Sequence, residues 1–135
     1  VYLYSRMSQK CPCQSKKNYS DCCEPLLTKQ KVATCPEALM RSRYVAFCNK
    51  DMDYLLQTTD PETRSQFDTK ANREWAANVS FCGLEIVKTF EEGTNGFVEF
   101  KAHYKEGNRV QVHHESSQFR QVFGLWYFVQ GQIQS

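Results

Sequence analysis

The sequence predicts an α+β fold in which helices come first and an antiparallel sheet follows. Apolar residues recur at helical spacing in the first half of the chain, and from about Phe81 they alternate, as in strands with one buried face. Polar turns containing glycine, at residues 91–96 and 105–108, separate the alternating runs and are typical of hairpins. Before the helices, four cysteines lie within thirteen residues. We therefore expect a metal-binding segment over residues 8–28 and one α+β domain over residues 34–135.

The cysteine spacing predicts a tetrahedral zinc site. Cys11 and Cys13 are separated by one proline, and eight residues later Cys22 and Cys23 are adjacent. Four thiolates suit Zn(II), and four protein ligands leave no open position for water, which indicates a structural metal. A segment this short has no apolar core of its own, so metal binding would supply its folding energy, about 10–16 kcal/mol in comparable zinc peptides.

A disulfide cluster is the alternative interpretation of these cysteines. It requires an oxidising compartment and an even number of cysteines, whereas the chain has seven. Adjacent thiols such as those of Cys22 and Cys23 are also poor partners for each other under normal bridge geometry. The pattern favours zinc.

The first helix is expected to begin after Thr34 or Cys35, with Pro36 at its first position, where no amide hydrogen is needed. An apolar stripe follows at 100° per residue, and Arg43 lies inside it. The stripe consists of Leu39, Met40, Tyr44, Phe47 and Cys48. A guanidinium at that position has to be paired or has to line a cavity, because burying an isolated charge is very costly.

Two further helices complete the helical half. Residues 51–59 are expected to form the second. Asp60 and Pro61 are expected to cap a third, in which apolar side chains recur every four residues. These apolar residues are Phe67, Ala71 and Trp75.

Alternation divides the strand residues between two faces of the sheet. Val98, Phe100, Ala102 and Tyr104 share one face, opposite Phe97, Glu99, Lys101 and His103. Val110, Val112 and His114 share an apolar face of the next strand, whereas His103 and His113 are expected to be exposed.

The cysteine segment resembles a known motif. The run CPCQSKKNYSDCC at residues 11–23 is similar to the SEC-C motif, the zinc-binding tail of the SecA translocation ATPase. The resemblance implies the same zinc role for all four cysteines. Gln14 stands where the motif usually has glycine, and glutamine disfavours the positive φ that glycine accepts.

The rest of the chain resembles the YchJ-like family of small bacterial proteins. The similarity is carried by EALMRSRYVAF at 37–47, DYL at 53–55, HESSQF at 114–119 and WYFVQG at 126–131. It implies a cone similar to nuclear transport factor two, with about three helices packed on a curved antiparallel sheet. Many members carry a second SEC-C motif at the C-terminus, which this sequence lacks, so we do not expect a role that requires two. Residues 1–6 precede Met7 and are expected to carry little meaning.

The cone implied by the resemblance encloses a cavity, for which five side chains are candidates. They are Arg43, Tyr44, His114, Glu115 and Trp126. Alternation places His114 and Glu115 on opposite faces, so both reach the cavity only if a bulge intervenes. The alternative, which we favour, is that Arg43 and a carboxylate such as that of Glu115 form a buried hydrogen-bonded pair that fixes how helix and sheet dock.

Charge and hydropathy exclude several classes of partner. The net charge of +2 divides into +4 over residues 1–31, from six basic and two acidic groups, and −2 over the rest. Lysines beside a thiolate cluster favour thiolate ionisation, and without interleaved aromatic residues they argue against nucleic-acid binding. No apolar run approaches about 20 residues and no signal-peptide core is present, so we expect a cytoplasmic protein with no membrane segment.

Two functional hypotheses follow. In the first, the zinc segment is a protein-binding or adaptor module presenting Lys16, Lys17 and Tyr19. The second is a small-molecule-binding protein or enzyme, with His114 as acid or base and Arg43 steadying negative charge. The lack of a nucleophile motif or phosphate-binding loop favours the first.

The partner is expected to be a protein. Because the SecA tail docks an export chaperone, the resemblance implies by analogy a partner in the export or translation machinery. An exposed sheet face carrying Phe97 and Phe119 would also suit a homodimer.

Overall fold

The computed structural model describes residues 9–134 and confirms the α+β fold. The expectation for residues 1–6 lies outside the described residues. The helices are α1 (Glu24–Leu27), α2 (Pro36–Asn49), α3 (Met52–Gln57) and α4 (Thr69–Asn78). The strands are β1 (Ser80–Glu92), β2 (Asn95–Glu106), β3 (Arg109–Val122) and β4 (Leu125–Ile133), and single 3-10 turns cover Tyr19–Asp21 and Arg64–Gln66.

The four strands form an antiparallel meander in the order β1-β2-β3-β4. The two predicted hairpin turns are confirmed, with Gly93 and Gly107 at positive φ where the chain reverses. Register shifts interrupt β1 twice, and a third one, in the pairing of β3 with β4, leaves Val129 of β4 without a partner on β3; such bulges bend and twist a sheet. The curvature lets one face of the sheet close around α2.

Helix α2 begins at Pro36 after Cys35, as the sequence predicts, and ends at Lys50 in the left-handed conformation. Its buried side packs on the sheet through Leu39, Met40 and Tyr44. Arg43 is buried with them.

The predicted cap of the third helix is wrong. Asp60 is buried, and its carboxylate accepts hydrogen bonds from Glu62 N and from Arg120 Nη2 on β3, both at 2.9 Å. The ion pair with the sheet therefore determines the position of Asp60. Helix α4 begins at Thr69, and Asp68 caps it by accepting a hydrogen bond from Ala71 N at 2.9 Å.

The expected exposed pair of phenylalanines is also corrected. Phe97 is 39% exposed on the outer face, but Phe119 has no exposed surface. Gly96 pairs with Phe119 and Val98 with Ser117, so Phe119 shares the inner face with Val98. Among the described residues, no helix is long and apolar enough to cross a membrane.

Candidate metal centre and cavity

The four N-terminal cysteines converge on one point. Their Sγ atoms all lie within 4.8 Å of one another. Cys13 and Cys22 Sγ are 3.6 Å apart, and Cys22 and Cys23 Sγ are 3.9 Å apart. A tetrahedral zinc with Zn–S bonds of about 2.3 Å places its sulfurs about 3.8 Å apart, whereas a disulfide requires about 2.05 Å. The sulfur spacing fits a single tetrahedral metal ion, and all four thiols are free.

A short hairpin positions the first two cysteines. An isolated bridge joins Lys10 to Asn18, and Cys11 N donates to Lys17 O at 2.9 Å. Gln14 turns the chain at φ 65°, so the left-handed conformation that glycine provides in the motif is retained here by glutamine. The return segment ends in the 3-10 turn that brings Cys22 and Cys23 to the start of α1.

The thiols interact strongly with one another. Hydrogen bonds from Cys11 and Cys23 hold the pKa of Cys13 well below its usual range. The reciprocal interaction with Cys13 raises the pKa of Cys11 to about 12, and the pKa of Cys23 is raised by Cys11 and Cys13. Cys13 thus ionises readily at the expense of Cys11 and Cys23, and a bound cation would favour the thiolate form of its ligands.

The cysteine cluster is part of the domain core. Cys11, Cys13 and Cys23 are buried in the same apolar cluster as Leu39 of α2. Arg41 of α2, which the sequence analysis missed, donates from Nη1 to Cys13 O at 2.7 Å. The same Nη1 lies 3.9 Å from Cys13 Sγ. At that distance the positive charge of the guanidinium would offset the negative charge of a Cys13 thiolate. The two predicted units therefore share one core.

A cavity of about 590 Å³ lies between α2, the segment leading to α4 and the inner face of the sheet. Its walls are largely aromatic. The rings that line it include those of Tyr44, Phe47, Trp75, Phe81, Phe100 and Phe128. Burial raises the pKa of Tyr44 well above its usual range, so its hydroxyl stays neutral.

Arg43 lies in the cavity wall. It is 4% exposed, and its Nη1 donates to Leu55 O at 2.8 Å and to Thr58 Oγ1 at 2.6 Å. The guanidinium carbon lies 4.5 Å from the centre of the Phe128 ring. Burial lowers the pKa of Arg43 to about 10, which leaves it positively charged at neutral pH.

Glu115 and His113 form a second polar group in the cavity. His113 Nε2 lies 2.8 Å from Glu115 Oε1, and Ser117 Oγ donates to Oε2. Burial alone would raise the pKa of Glu115, but hydrogen bonds from His113 and Ser117 and the charges of His113 and Arg43 lower it overall. No ion pair joins Arg43 to Glu115 within the described part of the chain, so the expected pairing between them is corrected.

Comparison with known proteins finds two matches along the chain. Residues 7–25 match the SEC-C motif, and residues 35–131 match the family model described as YchJ, middle NTF2-like domain. The chain belongs to the YchJ-like family.

Among its relatives, this YchJ-like chain is 43% identical to a UPF0225 protein of Geobacter sulfurreducens, covering 93% of this chain and 80% of the relative. A solved SEC-C motif containing protein from Rhodopseudomonas palustris is 47% identical, with a TM-score of 0.88 over 94% of this chain and 100% of that one. A second solved SEC-C motif containing protein, from Psychrobacter arcticus, is 32% identical, with a TM-score of 0.80 over 97% of this chain and 86% of that one.

The structure places His114 and Trp126 outside the cavity of this YchJ-like domain, contrary to expectation. His114 lies on the outer face of β3, where its Nε2 is 2.7 Å from Glu99 Oε2. Trp126 is buried in the core and lines a separate groove with Leu39. Arg43, Tyr44 and Glu115 do line the cavity.

The histidine in the cavity is His113, which the sequence analysis assigned to solvent. The error came from taking Val110 and Val112 as the buried face of β3, although they are 64% and 49% exposed. Every second residue of a strand lies on the same face. Ser117, Glu115 and His113 therefore share the inner face with the buried Phe119.

Proposed function

We propose that this YchJ-like protein is a zinc-binding protein in which Cys11, Cys13, Cys22 and Cys23 hold one structural Zn(II). The observation that carries the proposal is that all four Sγ atoms lie within 4.8 Å of one another, with Cys22 Sγ 3.6 Å from that of Cys13 and 3.9 Å from that of Cys23. An all-thiolate tetrahedral set favours zinc over hard cations such as Mg²⁺ or Ca²⁺. Because four protein ligands complete the coordination sphere, the metal would stabilise structure and would not activate water.

The zinc would fasten the N-terminal segment to α2. The segment from residue 9 to residue 23 contains one isolated bridge and one 3-10 turn, so little regular structure holds it. Metal binding would provide the missing folding energy, as it does in other small zinc segments. Arg41 would then contact a closed tetrathiolate site through the Cys13 carbonyl.

Metal analysis of protein purified without chelators tests the zinc assignment. We expect about one zinc per chain, and loss of that zinc when Cys22 and Cys23 are both replaced by serine. Cys82→Ser is the matched control, since Cys82 is exposed and lies outside the cluster. Equal zinc content in all three proteins would contradict the assignment.

We further propose that the zinc segment docks an acidic surface of a protein partner through Lys16 and Lys17. Both side chains are exposed, and their backbone is held close to the thiols. Lys17 O accepts from Cys11 N, and Lys17 N donates to Ser15 Oγ, which lies 3.2 Å from Cys22 Sγ. The metal would therefore fix the two charges in place. Tyr19 packs against the core, so the proposed contact rests on the lysines.

Charge reversal tests this docking surface. Lys16→Glu with Lys17→Glu should abolish capture of the partner from bacterial extract, while zinc content and unfolding free energy stay unchanged. The control is Lys70→Glu with Lys105→Glu, which makes the same charge change at exposed residues outside the segment. Unchanged capture by the first variant, or equal loss by the control, would count against docking. By analogy with the SecA tail, the captured protein is expected to belong to the export or translation machinery.

A further inference from the structure

Within the part of the chain that the structure describes, one edge of the Arg43 guanidinium has no hydrogen-bond partner. Its Nη1 makes both of the hydrogen bonds that Arg43 donates within residues 9–134, to Leu55 O and Thr58 Oγ1. Nε and Nη2 make none within those residues, neither is fully enclosed by protein, and Arg43 lines the cavity. These two nitrogens form the side-on fork of arginine, whose parallel N–H groups match the two oxygens of a carboxylate.

The free edge is not explained by the packing of the domain. A buried cation normally has an acidic partner, because removing the cation from water costs on the order of several kcal/mol. Glu115 interacts with the charge of Arg43 across the cavity, but its carboxylate oxygens make their hydrogen bonds with His113 and Ser117. Arg43 is stacked on Phe128, which steadies the guanidinium plane but does not neutralise it.

The remaining walls suit the apolar part of a small molecule. A cavity of about 590 Å³ falls within the range of roughly 300–1,000 Å³ that small-molecule sites occupy. Trp75, Phe81 and Phe100 line it beyond Arg43, and flat rings stack on or meet such walls edge to face. Aromatic walls around a small number of oriented polar groups are the usual composition of a ligand pocket.

We propose that this cavity binds a small aromatic monocarboxylate, whose carboxylate lies on the Nε and Nη2 edge of Arg43 and whose ring lies against Trp75 and Phe100. A single negative charge fits better than a phosphate dianion, because the lining also contains the carboxylates of Glu115 and Asp68. The site is separate from the metal centre, so the proposal does not depend on zinc or on partner docking.

Calorimetry with 2-naphthoate as the probe tests the proposal on the full zinc-loaded chain. The matched neutral probe is 2-naphthamide, which has the same ring and nearly the same shape. We expect 2-naphthoate to bind about ten- to a hundredfold more tightly than the amide, since hydrogen bonds to a charged group contribute about that factor. Equal affinities, no binding of 2-naphthoate, or tighter binding of 2-naphthyl phosphate would overturn it.

Two variants locate the probe. Arg43→Lys keeps the charge but loses the fork, so it should weaken 2-naphthoate at least tenfold and leave 2-naphthamide unchanged. Ala102→Phe fills the cavity from the inner face of β2 and should abolish binding of both probes. The matched control is Val112→Phe, which adds the same ring type on the outer face. If Arg43→Lys does not fold, the difference in affinity between 2-naphthoate and 2-naphthamide in the unmodified protein still tests whether the site binds a carboxylate. Retained binding in Ala102→Phe would contradict the assignment.

Discussion

Replacing Arg41 by methionine should loosen the attachment of the cysteine segment to α2. Methionine keeps most of the aliphatic stem but removes the donor to Cys13 O, which lies 2.7 Å from Nη1. Loss of a hydrogen bond that involves a charged group costs about 1.5–3 kcal/mol. The pair between Arg41 and Glu37, at 2.9 Å, adds only about 0.3–0.5 kcal/mol, because it is a partly exposed i,i+4 pair. We therefore expect Arg41→Met to lower the free energy of unfolding by about 2–3 kcal/mol.

Urea unfolding at a fixed free zinc concentration measures this loss, since bound metal adds to stability by mass action. Glu37→Gln is the control, because it breaks the ion pair and leaves the contact with Cys13 intact. It should cost about 0.5 kcal/mol or less. If the two variants lose the same free energy within a few tenths of a kcal/mol, the contact between Arg41 and the cysteine segment does not carry the stability assigned to it.

Three further predictions concern single residues. Gly131→Ala should lower the free energy of unfolding by about 1–3 kcal/mol, because a Cβ there overlaps the Glu115 carboxylate, which hydrogen bonds from His113 and Ser117 hold in place. Gly83→Ala, where a Cβ would lie 3.4 Å from the Gln14 amide, should be nearly neutral. Gln14→Gly should raise the free energy of unfolding by about 0.5–1 kcal/mol, because glycine adopts the positive φ of this position without strain. Lys17→Gly should lower the free energy of unfolding, because Lys17 has no positive φ to relieve. Because the pKa of Glu115 is lowered in the folded protein, its stabilising contribution is complete above the ordinary glutamate value of about 4.3 and is lost as the pH falls through the folded value. Acid unfolding of Glu115→Gln should accordingly show a shallower dependence on pH than that of the unmodified protein.

Helix α2 links the two sites. Arg41 and Arg43 are two residues apart, so their side chains leave the helix about 200° apart. Arg41 accordingly contacts the cysteine segment, and Arg43 reaches the cavity on the other side. The packing of this one helix therefore positions the cysteine cluster and the cavity relative to each other.

Local sequence signals predicted the parts of the fold that depend on local chemistry. Pro36 marks the start of α2 because proline suits the first helical position, and Gly93 and Gly107 mark the hairpin turns because they adopt positive φ. The cysteine cluster was likewise predicted from spacing, and the structure brings the four sulfurs together.

The errors arose where a tertiary contact overrode a local signal. Asp60 has the sequence context of a helix cap, but its ion pair with Arg120 draws it into the sheet, and that partner is sixty residues away. Assigning His113 to a face requires knowing which side of β3 is buried. Val110 and Val112, at the start of β3, are apolar and so predict the wrong side, because both are exposed. No local pattern could show that Arg43 and Glu115 line one cavity without pairing.

Native mass spectrometry of the protein purified from a reducing cytosol, without chelators, tests the central claim most directly. It counts bound metal on each chain and distinguishes zinc from disulfides by mass. We expect one zinc per chain in the unmodified protein and in Cys82→Ser, and none when Cys22 and Cys23 are serine. A folded, metal-free chain whose mass shows the N-terminal cysteines joined as disulfides would contradict it.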